Sequence, residues 1–168
     1  MEGRRVIESS IILSHILLPQ DANLAGNVHG GVVMRHIDGV AGVVAARHAR
    51  SNVVTASIDR LDFNGPLFIG NLIILKASVN MVGKTSMEIG VRAEAEDILS
   101  AQLRHIASAY LTFVALDEKG NPKEVPPLIL ESENEKRRER EARARRKMRL
   151  AERSKEKECQ RDFDGCEL

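Results

Sequence analysis

Apolar residues recur with two different periods along this chain, and the change of period divides it. Over residues 30 to 48, Val33, Ile37, Val40, Ala41, Val44 and Ala45 repeat at helical spacing, which predicts a helix about 28 Å long. Gly39 and Gly42 fall inside it, and each weakens an isolated helix by up to about 1 kcal/mol relative to alanine. A helix that keeps both is expected to be buried, with something packed closely against it. From residue 53 onward the period is two. Met87, Ile89, Val91, Ala93 and Ala95 alternate with more polar positions, as do Ile73 to Met81 and Leu103 to Phe113, the pattern of half-buried strands. Residues 53–63 form a fourth candidate strand, and residues 6–18, rich in Val, Ile and Leu and closed by Pro19, read as one more. Gly83-Lys84 has the look of a hairpin turn, Asp117 to Pro122 carries a second turn signal, and Pro126-Pro127 ends the patterned body.

A strand, an apolar helix and four antiparallel strands predict an α+β domain over residues 1–130, its sheet curving around the helix. Residues 131–168 read as a charged C-terminal tail. Residues 1–130 hold 12 Lys+Arg against 13 Asp+Glu, whereas residues 131–157 hold 12 against 7. That segment is expected to be a solvated helix with many i,i+4 pairs, followed by ten disordered residues. Its removal from residue 136 should then leave the fold intact. A basic tail without interleaved aromatics is a poor nucleic-acid surface, so no such partner is expected. Both cysteines lie in the last ten residues, so no disulfide or metal framework supports the body, in keeping with a cytoplasmic protein. No apolar run approaches the roughly 20 residues of a membrane span.

The chemistry concentrates at the helix. Between Gly26 and Ala46 the only formal charges are Arg35 and Asp38, and a carboxylate in an apolar helix is costly unless paired or used. Spacing leaves two readings open: a functional acid, or a surface pair with Arg35. Gly26-Asn27-Val28-His29-Gly30-Gly31 leads into the same helix, where free N–H groups and glycines could receive a developing oxyanion, or where Asn27 could simply cap. His29 and His36 do not share a helical face with Asp38, so no metal is expected. Gly-x-Ser-x-Gly and nucleotide-binding glycine loops are absent.

Asp21 to Gly31 and His36 to Gly42, with Val53 to Asp59, Phe63-Asn64, Gly83 to Ile89 and Tyr110 to Val114 in the same order, resemble the hotdog-fold acyl-CoA thioesterases of the brain-type acyl-CoA hydrolase group and their bacterial relatives. The resemblance implies hydrolysis of fatty acyl-CoA to free fatty acid and coenzyme A, with no cofactor beyond the CoA of the substrate. It also implies dimers assembled into a homohexamer, with the active site between subunits. Asn27 and Asp38 fall on the catalytic positions, the acid acting as general base or nucleophile, and Gly30 and Gly31 on the oxyanion-binding helix start. Lys84, Thr85 and Ser86 match the segment that meets CoA phosphates. Thr55 and Ser57 are expected to face pantetheine or water, and His29 and Asn64 to contact substrate. The alternatives are a hotdog hydratase or dehydratase and a non-catalytic module binding acyl-CoA or RNA.

Overall fold

A computed structural model describes residues 1–163, with side chains through residue 156. The chain opens with a short strand β1 (Arg4–Arg5), one helical turn α1 (Val6–Ser9) and β2 (Ile11–Ile16). The long helix α2 (Gly30–Ala49) follows, then β3 (Asn52–Phe63), β4 (Leu72–Val82), β5 (Ser86–Asp97), β6 (Gln102–Leu116), β7 (Leu128–Ile129) and α3 (Glu133–Phe163). β1 pairs with β7; the other five strands form one antiparallel sheet in the order β2-β4-β5-β6-β3. Among the described residues no helix is long and apolar enough to cross a membrane.

The N-terminal run expected as a single strand breaks at Ser10. Its backbone N–H and its hydroxyl both bond the Val6 carbonyl, at 3.1 and 2.8 Å, and Glu8 bonds back to Arg5. These local bonds offer the backbone a turn that competes with extension.

α2 buries the stripe read from the sequence: Val33, Ile37, Val40, Ala41, Val44 and Ala45 are at most 2% exposed. They pack on the sheet's inner face, which includes Ile73, Leu75, Met87, Ile89, Leu111 and Phe113, each large aliphatic side chain contributing about 1.5–3 kcal/mol. The close packing expected at the helical glycines holds at Gly42, where an added Cβ would lie 3.7 Å from the Phe113 ring. It does not hold at Gly39, which faces open space one turn from the exposed Val43. At the far end Arg4 reaches from β1 to donate to the carbonyls of His48 (2.6 Å) and Arg47 (3.2 Å), placing a cation on the negative end of the helix.

α3 departs most from expectation. It lies across the sheet's outer face, contacting it through Arg138, Ala142, Arg145 and Arg149, spaced by four, three and four residues. Arg138 bonds Ser78 of β4 at 3.4 Å. Ala142 is fully buried. Arg145 bonds both carboxylate oxygens of Glu88 on β5, at 2.7 and 3.2 Å, and lies 3.6 Å from the centre of the Tyr110 ring on β6. Arg149 pairs with Asp59 on β3. From residue 138 to 149 the helix rises about 16 Å, against about 14 Å for three strand-to-strand steps. The helix therefore spans four strands. The helix runs through Phe163, and the final five residues, part of the end expected to be disordered, lie outside the described residues.

Candidate active site

Asp38 sits half-buried on the third turn of α2 and forms no ion pair among the described residues, with Arg35 or any other cation. Its Oδ1 instead accepts a 2.8 Å hydrogen bond from the Thr55 hydroxyl on β3. The surface-pair reading of Asp38 therefore fails, and Thr55 lies beside the acid. Ser57 does not. A β-bulge interrupts β3 between Thr55, which pairs with Phe113, and Ser57, which pairs with Thr112. One extra residue sends Ser57 to the other face of the sheet, where its hydroxyl donates to Asp59 at 3.0 Å. Of the two hydroxyls that the resemblance assigned to substrate or water, that bulge leaves only Thr55 on the face of the acid.

The loop ahead of α2 is closed by its own polar groups. Buried Asp21 accepts the N–H of Leu18 through its carboxylate (2.9 Å) and that of His29 through its carbonyl (2.8 Å). Asn23 Oδ1 accepts from the N–H groups of Ala25 (2.9 Å) and Asn27 (3.2 Å), while Gly26 takes the positive φ of 82° that closes the turn. These bonds fix the plane of the Asn23 amide and leave its NH₂ group to donate elsewhere. The Asn27 side chain makes no hydrogen bond among the described residues. His29, not Asn27, caps α2: its Nδ1 accepts the Gly31 N–H at 2.9 Å. Of the two glycine N–H groups expected to meet an oxyanion, Gly31's is thus engaged and Gly30's remains. Phe63 flanks Gly30, an added Cβ there lying 3.6 Å from its ring, and the adjoining Asn64 amide lies 3.3 Å from His105 Nδ1.

Lys84, Thr85 and Ser86 form the β4–β5 hairpin. Gly83 N–H donates to the Ser86 carbonyl (2.7 Å), and the Thr85 carbonyl accepts from Ala115 (3.0 Å). The Lys84 ammonium is largely exposed, 3.6 Å from Glu124. α3 adds a cation that sequence patterning missed: a Cβ at Gly83 would lie 2.9 Å from Arg146 Nη1.

Within one chain these groups stay apart. Gly30 and Asp38 are separated by about 12 Å of helix rise. Along β6, the partners of Phe63 and Ser86 are Ala107 and Val114, about 24 Å apart. His29 and His36 do not converge with Asp38; His36 stacks at 4.7 Å on His15, and burial, then the neighbouring His15, lowers its pKa. Among the described residues no group of three or more potential ligands could hold a metal ion.

The family model described as the thioesterase superfamily matches residues 25–102. The mouse cytosolic acyl coenzyme A thioester hydrolase is 40% identical over 135 residues, 79% of this chain. The chain spans only 35% of that protein's length. An uncharacterized acyl-CoA thioester hydrolase of Bacillus subtilis is 37% identical over 132 residues, covering 79% of this chain and 77% of that protein. Among solved structures, the acyl-CoA hydrolase of Staphylococcus aureus in complex with butyryl coenzyme A and coenzyme A aligns at a TM-score of 0.88 and 34% identity, over 96% of this chain and 99% of the other. Variants of that enzyme in which an Asn, an Asp and a Thr, in that order along its chain, are each replaced by alanine align equally well. An apo-hexameric acyl-CoA thioesterase aligns at a TM-score of 0.87 and 38% identity, over 90% and 97% of the two chains.

Proposed function

Because the chain belongs to the thioesterase superfamily, alongside the acyl-CoA thioester hydrolases, we propose that it hydrolyses fatty acyl-CoA to a free fatty acid and coenzyme A, with Asp38 as the catalytic carboxylate. The observation that carries this reading is Asp38 itself, the only acid of α2, held by a hydroxyl instead of a cation. An unpaired carboxylate keeps its basic oxygen. It either takes a proton from the water that adds to the thioester carbonyl, or adds to that carbon itself to give an anhydride that water then opens. The C–S bond breaks in both routes: the sulfur takes the proton that Asp38 removed from water in the first, and leaves as thiolate to be protonated by the water that opens the anhydride in the second. The Gly30 N–H at the helix start receives the carbonyl oxygen as it becomes negative.

Substitutions in the Staphylococcus aureus enzyme sharpen the assignment. The Asp and Thr replaced there stand as far apart in sequence as Asp38 and Thr55, and the Asn precedes its Asp by the same interval that separates Asn23 from Asp38. That spacing favours Asn23 over Asn27 as the amide that assists the acid, and the two bonds that orient the Asn23 side chain support the same choice. Lys84, Thr85 and Ser86 remain the proposed contacts for CoA phosphates, with Arg146 beside them, and no cofactor is required. The length of helix between Gly30 and Asp38 calls for a second subunit to bring the amide of one chain to the acid of another. The exposed Gly39 and Val43 of α2, one turn apart, and the exposed Val54 and Ile58 of edge strand β3 supply surface for it. We assign a homohexamer built from dimers, with the tail beyond residue 130 as an addition to the 1–130 domain, in the cytoplasm as for the cytosolic relative.

Thiol release from acyl-CoAs of two to sixteen carbons tests the activity. Mixing Asp38→Asn chains with Asn23→Ala chains tests the sharing, because some hybrid interfaces regain one intact pair. No thiol release from any chain length would overturn the reading, and mixtures no more active than their parents would overturn the shared site.

A further inference from the structure

Asp38 is held by Thr55, and Thr55 lies on β3, whose pairing in the sheet is interrupted twice. Within one chain β3 lies at the sheet edge beside β6, and two bulges, at Thr55/Ser57 and Ile58/Arg60, interrupt that pairing. Each bulge leaves a residue unpaired and bends the strand locally. Asp59 lies at the second bulge, and it is there that Arg149 of α3 pairs with it, both side chains at most 15% exposed. The Ser57 hydroxyl donates to the same carboxylate, so one ion pair gathers both bulges. α3 is in turn anchored further back, on β5 and β6 through Arg145 and on β4 through Arg138.

We propose that α3 is a strap whose Arg149–Asp59 pair fixes the bulged edge of β3 and thereby holds the Thr55 hydroxyl on Asp38, making Arg149 a positioning residue for hydrolysis. The inference rests on the reading of Asp38 as the catalytic acid. Arg149 touches neither the acid nor the reacting atoms. It acts through the backbone that runs from Asp59 to Thr55, and its loss lets Thr55 drift from the carboxylate while substrate contacts at the hairpin and helix start are kept.

The test is steady-state thiol release in the full chain, comparing Arg149→Gln, Arg149→Lys, Arg138→Gln, Thr55→Val and Asp38→Asn. Arg149→Gln is expected to lower kcat about tenfold with KM within about twofold, the pattern of a lost alignment and not of lost binding. Arg149→Lys should restore most of the rate. Arg138→Gln, which frays the strap on β4 without touching β3, should leave it unchanged. Introduced into Thr55→Val, Arg149→Gln should cost less than about twofold more, because the contact it protects is already gone. If Arg149→Gln fails to fold, Asp59→Asn, nearly isosteric, carries the same expectations. A full tenfold loss on the Thr55→Val background, an equal loss in Arg138→Gln, or an unchanged kcat in Arg149→Gln beside an inactive Asp38→Asn would overturn the strap alone. Full turnover in Asp38→Asn would overturn the reading of the site and, with it, any catalytic role for the strap.

Discussion

Replacing Arg145 by alanine isolates the energetic role of α3. Glu88 is fully buried in the middle of the sheet's outer face, and its carboxylate is met by Arg145 at 2.7 and 3.2 Å and by Asn80 Nδ2 at 3.1 Å. Burial opposes the guanidinium's charge, yet Glu88 outweighs it and raises the Arg145 pKa above its ordinary value. Removing the arginine while the rest of α3 still covers the face leaves a carboxylate with one neutral donor. Breaking a buried pair in this way costs about 3–5 kcal/mol, a large part of the roughly 5–15 kcal/mol that stabilises a domain. With a urea dependence of about 1–3 kcal/mol per molar, the unfolding midpoint should fall by about 2 M, read at fixed protein concentration because an oligomer's stability depends on it. Glu88→Leu together with Arg145→Met should recover most of the loss, since filling the site with hydrocarbon removes the stranded charge. A shift below about 0.5 M in Arg145→Ala would mean that Glu88 is wet and that α3 does not pack on the sheet.

Three further outcomes follow from particular contacts. Burial lowers the pKa of His48, whose Nδ1 is buried without a partner. The unfolded chain therefore binds the proton more readily, and stability present above about pH 6.5 should be lost as pH falls through that value; thermal melts from pH 8 to 5 should show the decline, and His48→Phe should flatten it. Gly90→Ala should destabilise by about 1–3 kcal/mol in urea titrations, because its Cβ would lie 2.5 Å from Asn80 Nδ2, which is itself committed to Glu88. Asn23→Ala should lower kcat far more than Asn27→Ala in thiol-release assays; the reverse order would return the assisting amide to Asn27.

Much of the fold was legible because it is written in simple periods. The buried stripe of α2 and the alternation in β4, β5 and β6 follow directly from burial on one face, and the observed strands match the expected ones to within a few residues. What escaped was structure set by local exceptions. Ser10 turned a strand into a helical turn, and the bulge after Thr55 separated Ser57 from the acid, although both looked equivalent at period two. The stripe of α3 was hidden because its contacts are made by Arg138, Arg145 and Arg149 and one alanine, a pattern that resembles a solvated face until Glu88 and Asp59 are seen waiting on the strands. Acids at outward-alternating or bulged strand positions, matched against arginines at four-three-four spacing, were the signal that could have found it. At the site, Asp38 stood out by charge alone. The sequence singled out Asn27; Asn23 enters as a candidate through the bonds that orient its side chain in the turn that Gly26 closes.

The most direct measurement is turnover of Asp38→Asn, which keeps size and hydrogen bonding while removing the negative charge and the basic oxygen. Read as thiol release from acyl-CoA beside Arg35→Gln, its kcat should fall at least about a hundredfold, with acyl-CoA binding retained and Arg35→Gln unaffected. Near-normal turnover in Asp38→Asn would contradict the central claim.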